Sequence, residues 1–183
     1  MALTSTIYTL GIDLSDTDRH VYERLDLRLA RHPSESAEYF VARVLAYCLE
    51  YREGIAMTDG LSDGDQPPVV VRDLTGRVTG WIDVGMPDAA RLHRASKLAD
   101  HVAVYTHRDV KQLLAQLEGQ KIHRAAEIPI HAFDREFIKE LAGVLERRMD
   151  LSLSIADREL FVALGERTLH AGVGTHQIAT IGP

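Results

Sequence analysis

Asp83 stands between Ile82 and Val84 in a stretch, Val78 to Val84, that reads as a strand. A crossover helix and another buried strand follow it, so this strand is expected at the centre of a sheet. Alternation puts Asp83 on the same face as Trp81 and Thr79. A carboxylate in such a place is costly to bury unless a cation, a hydrogen-bond donor or a metal meets it. It is therefore either a functional group or a strand-end aspartate that caps the Gly85 turn or the helix after Pro87. Arg91 and Arg94 on that helix are the candidate cations. On a helical wheel Arg91 borders the apolar face, Arg94 lies further round, and Lys97 points roughly opposite, toward solvent. Glu35 and Glu38 fall in the first turn of an earlier helix, where acids suit the positive end of the dipole.

Other familiar chemistry is absent from the pattern. There is no G-x-G-x-x-G, P-loop, H-E-x-x-H or G-x-S-x-G. The histidines scatter from His20 to His176 and none pair at metal-ligand spacing, so solvated or singly hydrogen-bonded roles are expected. Cys48 lies on the apolar face of a helix and reads as a buried, inert thiol. As the single cysteine it makes no internal disulfide, which fits a reducing cytoplasm. The formal net charge of −6 opposes generic attraction to nucleic acid or to anionic membrane, so a nucleic-acid role requires a local basic patch. No apolar run approaches the roughly 20 residues that span a bilayer. The first residues carry neither a basic nor an apolar signal region, and a cytoplasmic location is expected.

With 183 residues, 45% apolar and 26% charged, the chain has the makings of one substantial globular domain spanning 1–183. Tyr8, Leu10, Ile12 and Leu14 alternate, Ser15 to Asp18 signals a turn, and Val21, Leu25, Leu27 and Leu29 resume the period, which predicts a hairpin. A helix over 34–51 follows, with Ser34 as its cap and Phe40, Val41, Val44 and Cys48 on its apolar face. Ile55 to Met57 is a short strand candidate, 59–68 is loop, and Val69 to Val71 and Val78 to Val84 are strands about the Asp73–Gly76 turn. A helix from Asp88 to about Asp100, a strand from His101 to Thr106 and a helix from Asp109 to Leu117 come next. Phe133 and Ile138 staple a helix that runs to about Arg148, and 151–164 forms a hairpin. This order implies an α/β (α+β) chain with a mixed β-sheet and helices packed on it.

Several stretches resemble the YaeQ family: Arg31-His-Pro-Ser-Glu-Ser-Ala-Glu38, Arg43-Val-Leu-Ala-Tyr47, Gly60-Leu61, Asp73-Leu-Thr-Gly76 and Trp81-Ile-Asp-Val-Gly-Met-Pro-Asp88. Arg91-Leu-His-Arg-Ala95, Val102-Ala-Val-Tyr105 and the Ala2-Leu-x-x-Thr-Ile-Tyr8 opening extend the resemblance over essentially the whole chain. It implies a bacterial, cytosolic protein, remotely related to the PD-(D/E)xK nuclease-like superfamily. The implied core is a restriction-endonuclease-like helix-strand-strand-strand-helix-strand unit over about 34–106, with extra N- and C-terminal strands. In active members, carboxylates hold a divalent ion that activates water and stabilises the phosphoryl transition state, and a nearby lysine holds the nucleophile or the charge. Carried over, Glu35 or Glu38 is the helical acid, Asp83 the strand acid, and both Glu35 and Asp83 are metal ligands.

The resemblance also marks departures. The family has Glu-Pro-Asp where this chain reads Gln66-Pro67-Pro68, so Pro68 replaces the motif aspartate. Gly85 occupies the lysine position, which moves the cation to Arg94 or Arg91. Proline ligates no metal, and arginine, always protonated, is no base. Asp65 or Asp73 is left to complete the ligand set. The expectation is a degenerate or non-catalytic nuclease-like domain that binds a protein or nucleic-acid partner, with magnesium or manganese held weakly. A divalent-metal nuclease is the alternative.

Overall fold

Apolar residues at every second position build β1 (Thr6–Asp16) and β2 (Val21–Arg31), an antiparallel hairpin that buries Leu10, Ile12, Leu14 and Leu25. The computed structural model describes residues 4–59 and 64–180. The Gly60–Leu61 motif, positions 60–63 of the expected loop and the Ala2–Leu3 opening lie outside the described residues. The first turn falls further along than Ser15 to Asp18. Asp16 is still in β1 and buried, and it closes the turn by accepting from Arg19 N at 3.1 Å and Arg19 Nε at 2.7 Å.

The first helix, α1 (Ala37–Leu49), is buried at every position from Phe40 to Cys48. A helix apolar all round must be enclosed by the fold. Its cap is Ser36 rather than Ser34. Ser36 Oγ accepts from Tyr39 N at 3.0 Å, whereas Ser34 Oγ is taken by His32 Nδ1 at 2.6 Å. Cys48 is free and fully enclosed, and burial pushes its thiol up to about 12, as expected of an inert side chain.

The chain continues through β3 (Ile55–Met57), β4 (Val69–Arg72), β5 (Val78–Val84), α2 (Ala89–Leu98), β6 (His101–Thr106) and α3 (Val110–Leu117). A single turn of 3-10 helix at Ala125–Glu127 precedes β7 (Pro129–Phe133), α4 (Arg135–Gly143), β8 (Arg148–Ala156), β9 (Glu159–Leu164) and β10 (Arg167–Gln177). Two strands escape the sequence reading. β7 is short, starts with Pro129 and carries His131 amid apolar residues, while β10 is diluted by Gly172, Gly174 and polar side chains. The helix expected to reach Arg148 stops at Gly143, because Arg148 already belongs to β8.

All ten strands form one mixed sheet in the order β2-β1-β8-β9-β10-β7-β6-β5-β4-β3. The sheet wraps α1 so far that Arg43, in the middle of that helix, reaches both edges. Its Nη2 donates to Ala30 O of β2 at 3.1 Å, and its Nη1 donates to Thr58 O, just past β3, at 3.2 Å. The result is an α+β architecture with a ten-stranded, nearly closed, barrel-like sheet. Arg43 is 1% exposed and its charge is met by Glu35, which is also buried. Glu35 Oε2 accepts from Arg43 Nη2 at 3.3 Å and from His32 N at 3.1 Å. Arg43 Nε lies 3.0 Å from Glu35 Oε1 as an ion contact whose angle makes no hydrogen bond.

A second core covers the outer face, where Trp81, Val102, Val104 and Ile130 of the sheet pack under Leu92 and Ala95 of α2 and Leu113 and Leu117 of α3. Among the described residues no helix is long and apolar enough to cross a membrane.

Because β1, β2 and β8 to β10 share one sheet with β3 to β7, urea unfolding followed by Trp81 fluorescence and by far-UV circular dichroism is expected to give coincident transitions. Two separated transitions would contradict a single cooperative domain. Arg43→Met is expected to cost roughly 3–5 kcal/mol, since it strands a buried carboxylate. The double substitution Glu35→Leu, Arg43→Met should recover part of that loss, and a double variant as unstable as the single one would refute the unpaired-charge account.

Candidate functional site

Strand alternation brings Trp81 and Asp83 of β5 to one face, and the indole Nε1 donates to Asp83 Oδ2 at 2.8 Å. Arg91, near the start of α2, supplies the other partner: its Nε donates to Asp83 Oδ1 at 2.8 Å and its Nη2 lies 2.8 Å from the same oxygen. The helix begins where it does because Asp88, not Asp83, is the cap, accepting from Arg91 N at 2.8 Å. The guanidinium also lies over the Trp81 ring, 5.4 Å from its centroid, and donates to Gly64 O at 2.6 Å and Gln66 O at 2.9 Å. Burial pushes the Asp83 carboxyl above its ordinary range, against the downward pull of Arg91 and Trp81. Thr79, expected on the same face, instead donates to Val71 O at 3.3 Å.

This pair forms one wall of a cleft of about 580 Å3 that also touches Ser36, Tyr39, Pro68, Gly85 and His107. Antiparallel pairing matches Val69 with Ile82, so Pro68, one residue earlier, falls across from Asp83 and presents no ligand atom there. At Gly85 the backbone is left-handed, with φ +93°, and an added Cβ would lie 3.7 Å from the Tyr39 ring. A lysine at that position would be strained before it reached anything.

The remaining candidates are distributed elsewhere. Glu35 precedes α1 and is not helical; it faces Arg43. Glu38 is in the first turn of α1 and lines an adjoining cleft with His107 and Arg108. Asp65 lies on the surface 3.5 Å from Arg94 Nη2, so Arg94 pairs with Asp65 and acts on Asp83 only as a nearby charge. Asp73 organises its own turn through Thr75 N, Thr75 Oγ1 and Arg77 N. Asp83, Glu35 and Asp65, the acids named for metal binding, thus each face an arginine. Among the described residues no group of three or more His, Cys, Asp or Glu side chains converges as metal ligands.

Sequence reasoning passed over Tyr39, His107 and Arg108 at the cleft. The available signal was position: His107 and Arg108 directly follow the C-terminal end of β6, a parallel strand, which is where ligands gather in sheets of this kind. It also passed over Glu50 at the far end of α1, a buried acid that accepts from Tyr105 OH at 2.8 Å and lies 3.0 Å from His101 Nε2.

Arg91→Met is expected to lower stability by roughly 3–5 kcal/mol by leaving Asp83 unpaired. Asp83 has a raised folded-state pKa, so the stability linked to it is present below its unfolded value and lost as pH rises through the folded one. Asp83→Asn should remove that acid-range slope from a stability profile, and Arg91→Met should extend it to higher pH. An Arg91→Met profile parallel to the parent would show that the two groups do not interact.

The chain matches the family described as YaeQ protein over residues 1–173. The relative named "Uncharacterized protein YaeQ" from Escherichia coli (strain K12) is 29% identical over 178 residues, 97% of this chain and 98% of that one. Its counterpart from Salmonella typhi is 30% identical over 164 residues, 89% of this chain and 91% of the other. The crystal structure of YaeQ protein from Pseudomonas syringae superposes with a TM-score of 0.85 at 30% identity, covering 93% of this chain and 95% of that one. That from Xanthomonas axonopodis pv. citri gives 0.86 at 26% identity, covering 96% and 100%. Sequence and architecture agree over almost the full length, and the chain belongs to the YaeQ family.

Proposed function

We propose that this protein is a cytoplasmic binding domain on a degenerate PD-(D/E)xK nuclease-like core, one that holds a partner in the Asp83 cleft and does not cut it. The single observation behind this reading is the commitment of Asp83: one oxygen to Arg91 at 2.8 Å, the other to Trp81 Nε1 at 2.8 Å. A carboxylate serving a divalent ion must turn a lone pair toward it, and magnesium is usually held by one or two carboxylates together with substrate phosphate. Here the strand acid is spent on an arginine, its opposite neighbour is Pro68, and Glu35 is occupied by Arg43. The order helix, three strands, helix, strand from α1 to β6 supports the superfamily assignment. Magnesium or manganese is held weakly, and phosphodiester hydrolysis does not follow.

The reading is tested by incubating the protein with linear duplex and single-stranded DNA in magnesium or manganese. No cleavage above a Glu35→Gln, Asp83→Asn control is expected. Robust metal-dependent cleavage, abolished by Asp83→Asn, would overturn it in favour of a divalent-metal nuclease. By the same reasoning Pro68→Asp returns a second strand carboxylate and is expected to tighten manganese binding measured by calorimetry. Unchanged affinity would mean that Asp83 does not turn from Arg91 even when a second ligand is present.

A further inference from the structure

Next to the Asp83 cleft lies a second one, of about 380 Å3, with which it shares Ser36, His107 and Arg108. Its other walls come from α1 and α4: Glu38 on one side, and Arg135, Glu136 and Lys139 on the other. Among the described residues the side chains of Arg108, Arg135 and Lys139 make no ion pair and no hydrogen bond. Arg135 and Lys139 stand at i,i+4, where like charges on one helix face repel. Three cations therefore meet two acids in one cleft, on a chain whose net charge is −6. The amino ends of two helices, 13 and 9 residues long, open onto the same place and add positive potential.

His107, 8% exposed, lines both clefts, and its buried Nδ1 has no hydrogen-bond partner. Burial first, then Arg108 and Arg135, hold this imidazole below its ordinary pKa, with Glu38 opposing. The downward shift favours the neutral ring, in which one nitrogen donates and the other accepts. The larger cleft, directly alongside, is lined in part by Tyr39, Met86 and Pro87, which bring aromatic and apolar surface to it.

We propose that Arg108, Arg135 and Lys139 bind the terminal phosphate of a nucleotide or of a nucleic-acid strand end, with the attached nucleoside seated against Tyr39 in the Asp83 cleft. Two guanidinium groups and an ammonium match a phosphate dianion, and an aromatic face suits a base. The proposal rests on the reading of the Asp83 cleft as a binding site and names its ligand class.

The test uses the full chain in EDTA and a 3′-dye-labelled single-stranded DNA, with and without a 5′-phosphate, followed by fluorescence anisotropy. The phosphorylated strand is expected to bind about tenfold or more tightly than the unphosphorylated one, with a steep salt dependence. Arg108→Ser and Arg135→Ser should each weaken it by about tenfold while melting like the parent, because both side chains are exposed. Lys97→Ser, on the exposed face of α2, should change nothing. Competition separates the sources: AMP displacing the strand assigns free nucleotides, and a strand that AMP cannot displace assigns strand ends. Binding that ignores the 5′-phosphate, or is unchanged by Arg108→Ser and Arg135→Ser, would overturn the proposal, as would the absence of any binding. A phosphoserine peptide that binds where the DNA does not would overturn it as well. Because EDTA removes divalent metal, a cleavage result overturns the non-catalytic reading without touching this one.

Discussion

Arg43 sits in the middle of a helix that is buried on every side, and its charge must be met inside the protein. The penalty for taking such an ion out of water is several kcal/mol. It is offset by Glu35 and by two backbone carbonyls, Ala30 on one edge of the sheet and Thr58 beside the other. Those carbonyls come within reach of one guanidinium only because the sheet closes around α1. The same pair anchors the chain just before that helix, so Ser36 and Tyr39 present their side chains to the cleft. Tyr39 feels both buried pairs: burial pushes its hydroxyl up to about 12, with Arg43, Glu35, Asp83 and Arg91 as the charges around it. A site some distance from the Arg43 pair is thus built on it.

What the sequence made legible divides by the range of the interaction involved. Elements fixed by local pattern came through: the alternating hairpin, the apolar helix at 37–49, the Val69–Val71 and His101–Thr106 strands, and the arginine that borders the apolar face of α2. Asp83 stood out as a carboxylate needing a partner, and Arg91 was one of its two candidates. What did not come through depends on pairing between distant segments. β7 and β10 are weakly patterned and exist because they pair with each other and with β6 and β9. Arg43 lay inside a quoted motif, yet its link to Glu35 was invisible, since a buried arginine and a surface arginine look alike in a list of residues. The same holds for Arg108, whose significance comes from facing the first residue of α4.

α1 has polar chemistry at both of its ends. At its start are Ser36, Tyr39, the Asp83–Arg91 pair and the cationic cleft; at its finish Glu50, its capping residue, meets Tyr105 and His101. The two acids differ in electrostatic balance. Burial raises Asp83 despite its arginine, whereas hydrogen bonds from His101 and Tyr105 hold Glu50 below its usual range in spite of burial. Nearby, burial and Arg158 hold His131 down to about 4, neutral beside a cation that donates to it. The apolar interior of the barrel separates these two polar ends, and neither group of charges shares a side chain with the other.

β1 lies between β2 and β8, and residues 9–16 run parallel to residues 148–155. The β1–β2 hairpin is made before β8, yet the inner flank of β1 has no neighbour until β8 has followed it through all the elements between. Closing a loop of that length is slow compared with forming the hairpin itself. During synthesis, β1 therefore offers a row of unpaired amides and carbonyls beside exposed leucines, the kind of surface that a chaperone shields or that joins two nascent chains together. The same parallel pairing that completes the barrel sets the moment at which a newly made molecule ceases to be adhesive.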